Sequence, residues 1–150
     1  MDIRTLRLAR LLVDYSVDVQ PGDRVAVISQ PAAADLVLPV YERILERGGH
    51  PDVSLTLPGM EAIYYRVAGA CEHHRRDQLA YISPIEHLFY EEYEALISIR
   101  AASNTRELND VDPALQATRR KAMAPVRRRY MERGATGELK WNGTLYPTPA

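Results

Sequence analysis

Six residues constrain the fold more than any others. Arg24-Val25-Ala26-Val27-Ile28-Ser29 is a short β-branched run with no polar alternation. A strand written this way has both faces buried, which is the signature of a parallel sheet covered by helices on each side. Parallel neighbours need a crossover, and the next segment supplies one. Ala32 to Arg47 carries an apolar stripe at helical spacing (Leu36, Val37, Val40, Ile44, Leu45) and stops at Gly48-Gly49. Pro39 interrupts that pattern and predicts a kink or a later helix start. Asp52-Val53-Ser54-Leu55-Thr56-Leu57 then alternates as a strand does. Strand, helix and strand with short links make a βαβ unit, whose crossover is right-handed.

The remaining segments extend this unit in both directions. Leu6, Ala9, Leu12, Val13 and Val17 predict an amphipathic opening helix, with Asp2 as its N-cap and Pro21-Gly22-Asp23 as the turn that ends it. Met60 to Ala68 and Pro84 to Tyr93 read as helices, and Cys71 to Gln78 reads as a polar, exposed stretch. Ala95 to Ile99 is the third buried strand, followed by a polar loop from Ala101 to Asn109. Asp112-Pro113 opens a long helix to Arg133, with Leu115, Ala122, Val126 and Tyr130 on one face and Pro125 as an interruption. Lys140 to Leu145 reads as a fourth strand with Gly143 at a bulge, and its apolar pattern predicts a buried Trp141. The expectation is an α/β fold: one three-layer domain over residues 1–150, with a small, mostly parallel sheet flanked by helices.

Composition narrows the function classes. The chain has 150 residues and a formal net charge of −1, so bulk charge draws it to neither nucleic acid nor membrane. The single cysteine, Cys71, cannot form an internal disulfide and fits a reducing, cytoplasmic compartment. No segment approaches the about 20 apolar residues that span a bilayer. The first residues carry no signal-peptide pattern.

No complete catalytic constellation is visible. Cys71-Glu72-His73-His74 tempts as a metal site, but adjacent helical residues point about 100° apart and no H-E-x-x-H is present. His87 beside Glu86 could serve as a base and reads better as a helix residue at the core's edge. The turn Ser29-Gln30-Pro31-Ala32 lacks the glycines of a dinucleotide site, and neither a phosphate-binding loop nor a hydrolase serine elbow occurs. Arg119, Arg120, Lys121, Arg127, Arg128, Arg129 and Arg133 are spread around the long helix. They read as a solvated face or a docking surface.

Several segments taken in order resemble a known family. They are Val19-Gln20-Pro21-Gly22-Asp23-Arg24-Val25, Arg47-Gly48-Gly49-His50-Pro51, Ile99-Arg100-Ala101 leading to Asn104-Thr105-Arg106-Glu107-Leu108, and Gly137-Glu138-Leu139-Lys140-Trp141 running into Thr144-Leu145-Tyr146-Pro147-Thr148. Together they resemble the N-terminal domain of the metal-dependent aminopeptidases of the aminopeptidase T and aminopeptidase S type, the thermophilic metalloprotease family. The resemblance covers essentially the whole chain and is weakest from Gly69 to Gln78.

That resemblance implies a dimeric, two-domain exopeptidase that removes N-terminal residues from peptides with a pair of divalent metals, zinc or cobalt. It places the metal ligands in a C-terminal domain beyond residue 150, so the expectation for this chain is no catalytic residue, no metal ligand and no cofactor. It implies that this chain walls one side of the substrate cleft, with its own C-terminal domain, a peptide substrate and a second copy as partners. The loops at the carboxyl ends of the third and fourth strands give the expected substrate-binding residues: Arg100, Asn104, Thr105, Arg106 and Tyr146, with Thr148 beside them. Arg106 offers a fork suited to a peptide carboxylate. The alternative reading is a stand-alone α/β module that holds an anionic partner on the basic helix 113–133.

Overall fold

The computed structural model describes residues 2–149. Its elements in chain order are α1 (Ile3–Arg10), β1 (Arg24–Ser29), α2 (Ala34–Glu46), β2 (His50–Leu55), α3 (Met60–Ala70), α4 (Glu72–Ala80), α5 (Pro84–His87), β3 (Ala95–Arg100), α6 (Pro113–Thr136) and β4 (Lys140–Leu145). α1 continues as a π-helical turn over Leu11–Ser16, and α5 as another over Leu88–Glu92. The strands form one sheet in the order β2-β1-β3-β4, and every pair is parallel.

The two faces of the sheet are covered differently. Val25, Val27, Ile97 and Ile99 point to one face and pack against Ala9, Leu12 and Val13 of the opening helix and Leu36, Val37, Val40 and Ile44 of α2. This is the main core. Ala26, Ile28 and Leu96 point to the other face and meet Phe89, Tyr90, Tyr130 and Leu139. A third cluster joins Tyr65, Ala68 and Leu79 of α3 and α4 to Leu108, Val111 and Leu115. The result is the expected three-layer α/β domain, with helices on both sides of a parallel sheet.

Local signals act where the sequence places them. Asp2 and Asp112 accept hydrogen bonds from the Arg4 and Ala114 amides at 2.9 Å and cap α1 and α6. Gly48 takes a φ of +78° after α2, a left-handed stop that glycine adopts without strain. Pro31–Ala33 form a 3-10 turn before α2, so the α-helix starts at Ala34 instead of Ala32, while Pro39 sits buried within it.

Two expectations are corrected. The second strand begins at His50 rather than Asp52, because it pairs with β1 from Arg24 onward. Trp141 is 49% exposed instead of buried. β4 is an edge strand, and its outward row is sparsely covered: Leu145 is exposed, and a Cβ placed on Gly143 would meet nothing within 4 Å. The indole lies against Gly134 and tilts over the Tyr130 ring at 5.8 Å.

The amino ends of the strands are bound together by charge. Arg24 donates through its backbone amide and its guanidinium to the Glu94 carboxylate, with contacts of 2.7 to 3.1 Å. Lys140 pairs with Asp23 at 2.6 Å, and Asp23 also accepts from the Gln20 amide. Arg133, only 5% exposed, donates to the carbonyls of Tyr90 and Tyr93 at 2.9 and 2.8 Å.

Candidate functional site at the carboxyl ends of the strands

The strand order reverses between β1 and β3, since the chain moves one way from β1 to β2 and the other way from β3 to β4. Loops leaving two such strands diverge, and the crevice between them is where open α/β sheets bind ligands. Here the divergence starts from a pinned base. Ser29 Oγ donates to the Ile99 carbonyl at 2.9 Å, and the Ala101 amide donates to Gln30 Oε1 at 2.6 Å.

Above that base opens a cleft of about 480 Å³. One wall is the loop after β3, with Ala102, Ser103, Asn104 and Thr105. The opposite wall is Thr56, Leu57 and Pro58 after β2, together with Glu61 on α3. Glu107, Asn109 and Gln116 complete it. Asn104 accepts from the Arg106 amide at 2.9 Å, a turn that fixes the loop beside the opening. Glu107 accepts from the Gly59 amide at 2.9 Å and so places its carboxylate at the start of α3. A negative charge there is favoured by the helix dipole and by amides that have no partner within the helix.

The lining is amide-rich and carries negative charge. Gln30, Asn104, Asn109 and Gln116 offer both donors and acceptors, Glu61 and Glu107 are carboxylates, and no Lys, Arg or His lines the cleft. Such a surface can hydrogen-bond an extended backbone and attract a cationic group.

The expected binding residues divide. Asn104 and Thr105 line the cleft. Arg106 is exposed on the same loop but outside the lining, so the expected carboxylate clamp is not part of this wall. Arg100 ends β3 with an exposed side chain, while its carbonyl accepts from the Tyr146 amide at 2.8 Å. Tyr146 packs onto the main core, on the α1 and α2 side of the sheet. Thr148 donates to the Ala102 carbonyl at 2.7 Å and tethers the chain's exit to the cleft loop. Topology could have pointed to Gln30, the first residue after β1. Glu107 and Gln116 gave no sequence signal, because their place depends on how the loop folds back onto α3.

The other candidates lie elsewhere. His73 and His74 are exposed on α4, and His87 Nδ1 pairs with Glu91 at 3.2 Å on the surface. Among the described residues no group of three or more His, Cys, Asp or Glu is placed to hold a metal ion. No helix is long and apolar enough to cross a membrane.

Comparison with known proteins bears on this geometry. Among solved structures, the chain is similar to wild-type AmpT from Thermus thermophilus, with a TM-score of 0.65 and 18% identity over 97% of this chain and 36% of that one. It thus spans about a third of the AmpT length. CurK enoyl reductase (TM-score 0.33, 12% identity, 91% of this chain and 50% of that one) is too distant to carry an argument. The same holds for an alcohol dehydrogenase superfamily protein from Novosphingobium aromaticivorans (TM-score 0.32, 16% identity, 90% and 50%). No curated protein matches the chain. A family model described as thermophilic metalloprotease (M29) matches residues 1–150, the whole of the sequence. The chain therefore belongs to the thermophilic metalloprotease family.

Proposed function

We propose that this chain is the cleft-forming, N-terminal half of a two-metal aminopeptidase that removes N-terminal residues from peptides. The observation that carries the reading is the match of the metalloprotease family to the whole chain, together with a fold shared with about a third of AmpT. The remaining two thirds of that relative has no counterpart here, which leaves room for a separate metal-bearing domain. A zinc or cobalt pair, a homodimer and a cytoplasmic setting belong to this reading.

In this reading the metal pair is held outside this chain, in keeping with the lack of a cluster of three or more His, Cys, Asp or Glu among the described residues. Their part is to bind and orient. The Asn104, Asn109 and Gln116 side chains match the donors and acceptors of a peptide backbone. Glu61 and Glu107 favour a substrate that carries positive charge on this side of the cleft. Positioning of this kind matters because a misplaced scissile bond loses rate even when the metals are intact.

The test is hydrolysis of an aminoacyl anilide by the 150-residue chain with added zinc or cobalt. No metal-dependent turnover is expected. Turnover that persists through repurification would overturn the division of labour. Reading the gene past residue 150 provides the second check: a continuation rich in Glu, His and Asp is expected.

A further inference from the structure

The cations on α6 fall into two sets. Arg119 donates to the Leu79 and Tyr81 carbonyls and lies 3.6 Å from Glu86. Arg129 pairs with Glu132 and Glu138, and Arg133 is buried against carbonyls. The other four, Arg120, Lys121, Arg127 and Arg128, are all exposed and make no ion pair among the described residues. At 3.6 residues per turn these four share a sector of about 120° with Ala117, Ala124 and Met131. No carboxylate lies within it. The spread of charge along the sequence thus resolves into a spent inner set and a free outer stripe.

Beside the stripe, α6 stands off the sheet. A groove of about 390 Å³ runs between them, lined by Ile28, Leu96, Met123, Val126, Arg127 and Met131. Ile28, Ser98 and Gly143 form one register row across β1, β3 and β4, and a Cβ placed on Gly143 would meet nothing within 4 Å. The sheet face at Gly143 is therefore bare, while Ile28 and Ser98 stay half-buried. Arg127 and Met131 belong to both the groove and the stripe, so the two make one continuous surface.

We propose that this outer surface of α6 docks an acidic amphipathic peptide segment of a protein partner. Apolar side chains of the segment enter the groove, and its carboxylates lie along Arg120, Lys121, Arg127 and Arg128. Charge complementarity fixes the sign of the partner. The adjoining apolar groove fixes its class, because a phosphate backbone has nothing to bury there. Nucleobases would need free aromatic faces, whereas Tyr130 is engaged edge-on with Tyr90 and tilted against Trp141. Methionine and arginine are the side chains that protein interfaces favour, and methionine adapts to varied apolar partners. The groove and the carboxyl-end cleft share no lining residue, so the proposal stands or falls independently of the aminopeptidase reading.

The test is fluorescence anisotropy of the 150-residue chain with a labelled synthetic peptide of repeated Glu-Glu-Leu. Saturable binding that weakens with added salt is expected. The double variant Arg127→Glu/Arg128→Glu should lose at least about tenfold in affinity, as should Met123→Asp in the groove. The two arginines are exposed and Met123 is half-buried in the groove, and circular dichroism checks that the variants fold. No binding would overturn the proposal, and so would equal binding of a poly-Glu peptide without leucine. Tighter binding of duplex DNA, or of vesicles containing anionic lipid, would assign the surface to a different partner and equally overturn it.

Discussion

The two ends of the sheet are built by different means. At the amino end, three of the four strand starts are tied by a charged side chain: Arg24 to Glu94, Lys140 to Asp23, Arg133 to the carbonyls ahead of β3. At the carboxyl end, the ties are neutral and near the base, and above them polar side chains point into an open cleft. Charge spent on structure at one end leaves the other end free to present unpaired groups. In open α/β folds that second kind of end is the one that meets ligands.

Breaking the amino end should cost stability. Arg133→Ala is expected to have the largest effect, since it removes a buried guanidinium and takes its donors from the part-buried Tyr90 and Tyr93 carbonyls. A loss of about 3 kcal/mol follows, or a fall of about 10 °C in Tm by calorimetry. A Tm within a degree or two of the parent would mean that this end is not pinned as described.

Glu94→Gln is the next step down. The Arg24 guanidinium, hydrogen-bonded to the carboxylate, draws the Glu94 pKa down from 4.5 to about 2. A folded pKa below the unfolded one means that the pair stabilises above about pH 4.5 and that this contribution fades as pH falls toward 2. Both side chains are more than a third exposed, so solvent screening limits the neutral-pH loss to about 1 kcal/mol. Denaturant titrations of parent and variant should therefore differ at pH 7 and converge near pH 2. A gap that stays constant over that range would assign the effect to packing instead of charge.

At the carboxyl end the same kind of substitution should barely register in stability. Asn104→Ala and Arg106→Ala remove exposed side chains and are expected to shift unfolding by about 0.5 kcal/mol or less. A larger loss would turn the loop from a presenting surface into a structural strut.

The fold was legible because its strongest signals are local. The buried run of β1, the Gly48 stop, the Asp112-Pro113 start and the strand Lys140 to Leu145 each appear where the residues place them. What escaped was set by tertiary context. Trp141 carries a core residue's chemistry, but β4 is an edge strand, and its indole meets Tyr130 and Gly134 of α6 while staying half-exposed. Its fluorescence should be accessible to acrylamide, and a strongly blue-shifted, unquenched emission would contradict this placement.

The site was legible only in part, for the same reason. Strand topology pointed to the loop that holds Asn104 and Thr105. It did not show that Tyr146 turns to the opposite face of the sheet, or that Glu107 folds back to the start of α3. Nor did the basic run on α6 reveal which cations are spent, because their partners come from residues as distant as Leu79, Tyr90 and Tyr93.

The most direct measurement of the central claim is steady-state kinetics in the metal-loaded, two-domain enzyme proposed above, comparing Asn104→Ala and Gln116→Ala in the cleft with Glu94→Gln at the opposite end. Loss of a positioning hydrogen bond should lower kcat/KM on short peptides by about tenfold in the cleft variants, with metal content and Tm unchanged. The Glu94 variant should lose stability while keeping its kcat/KM. Cleft variants with parental efficiency, or an equal loss in all three, would contradict the assignment of the carboxyl end as the substrate wall.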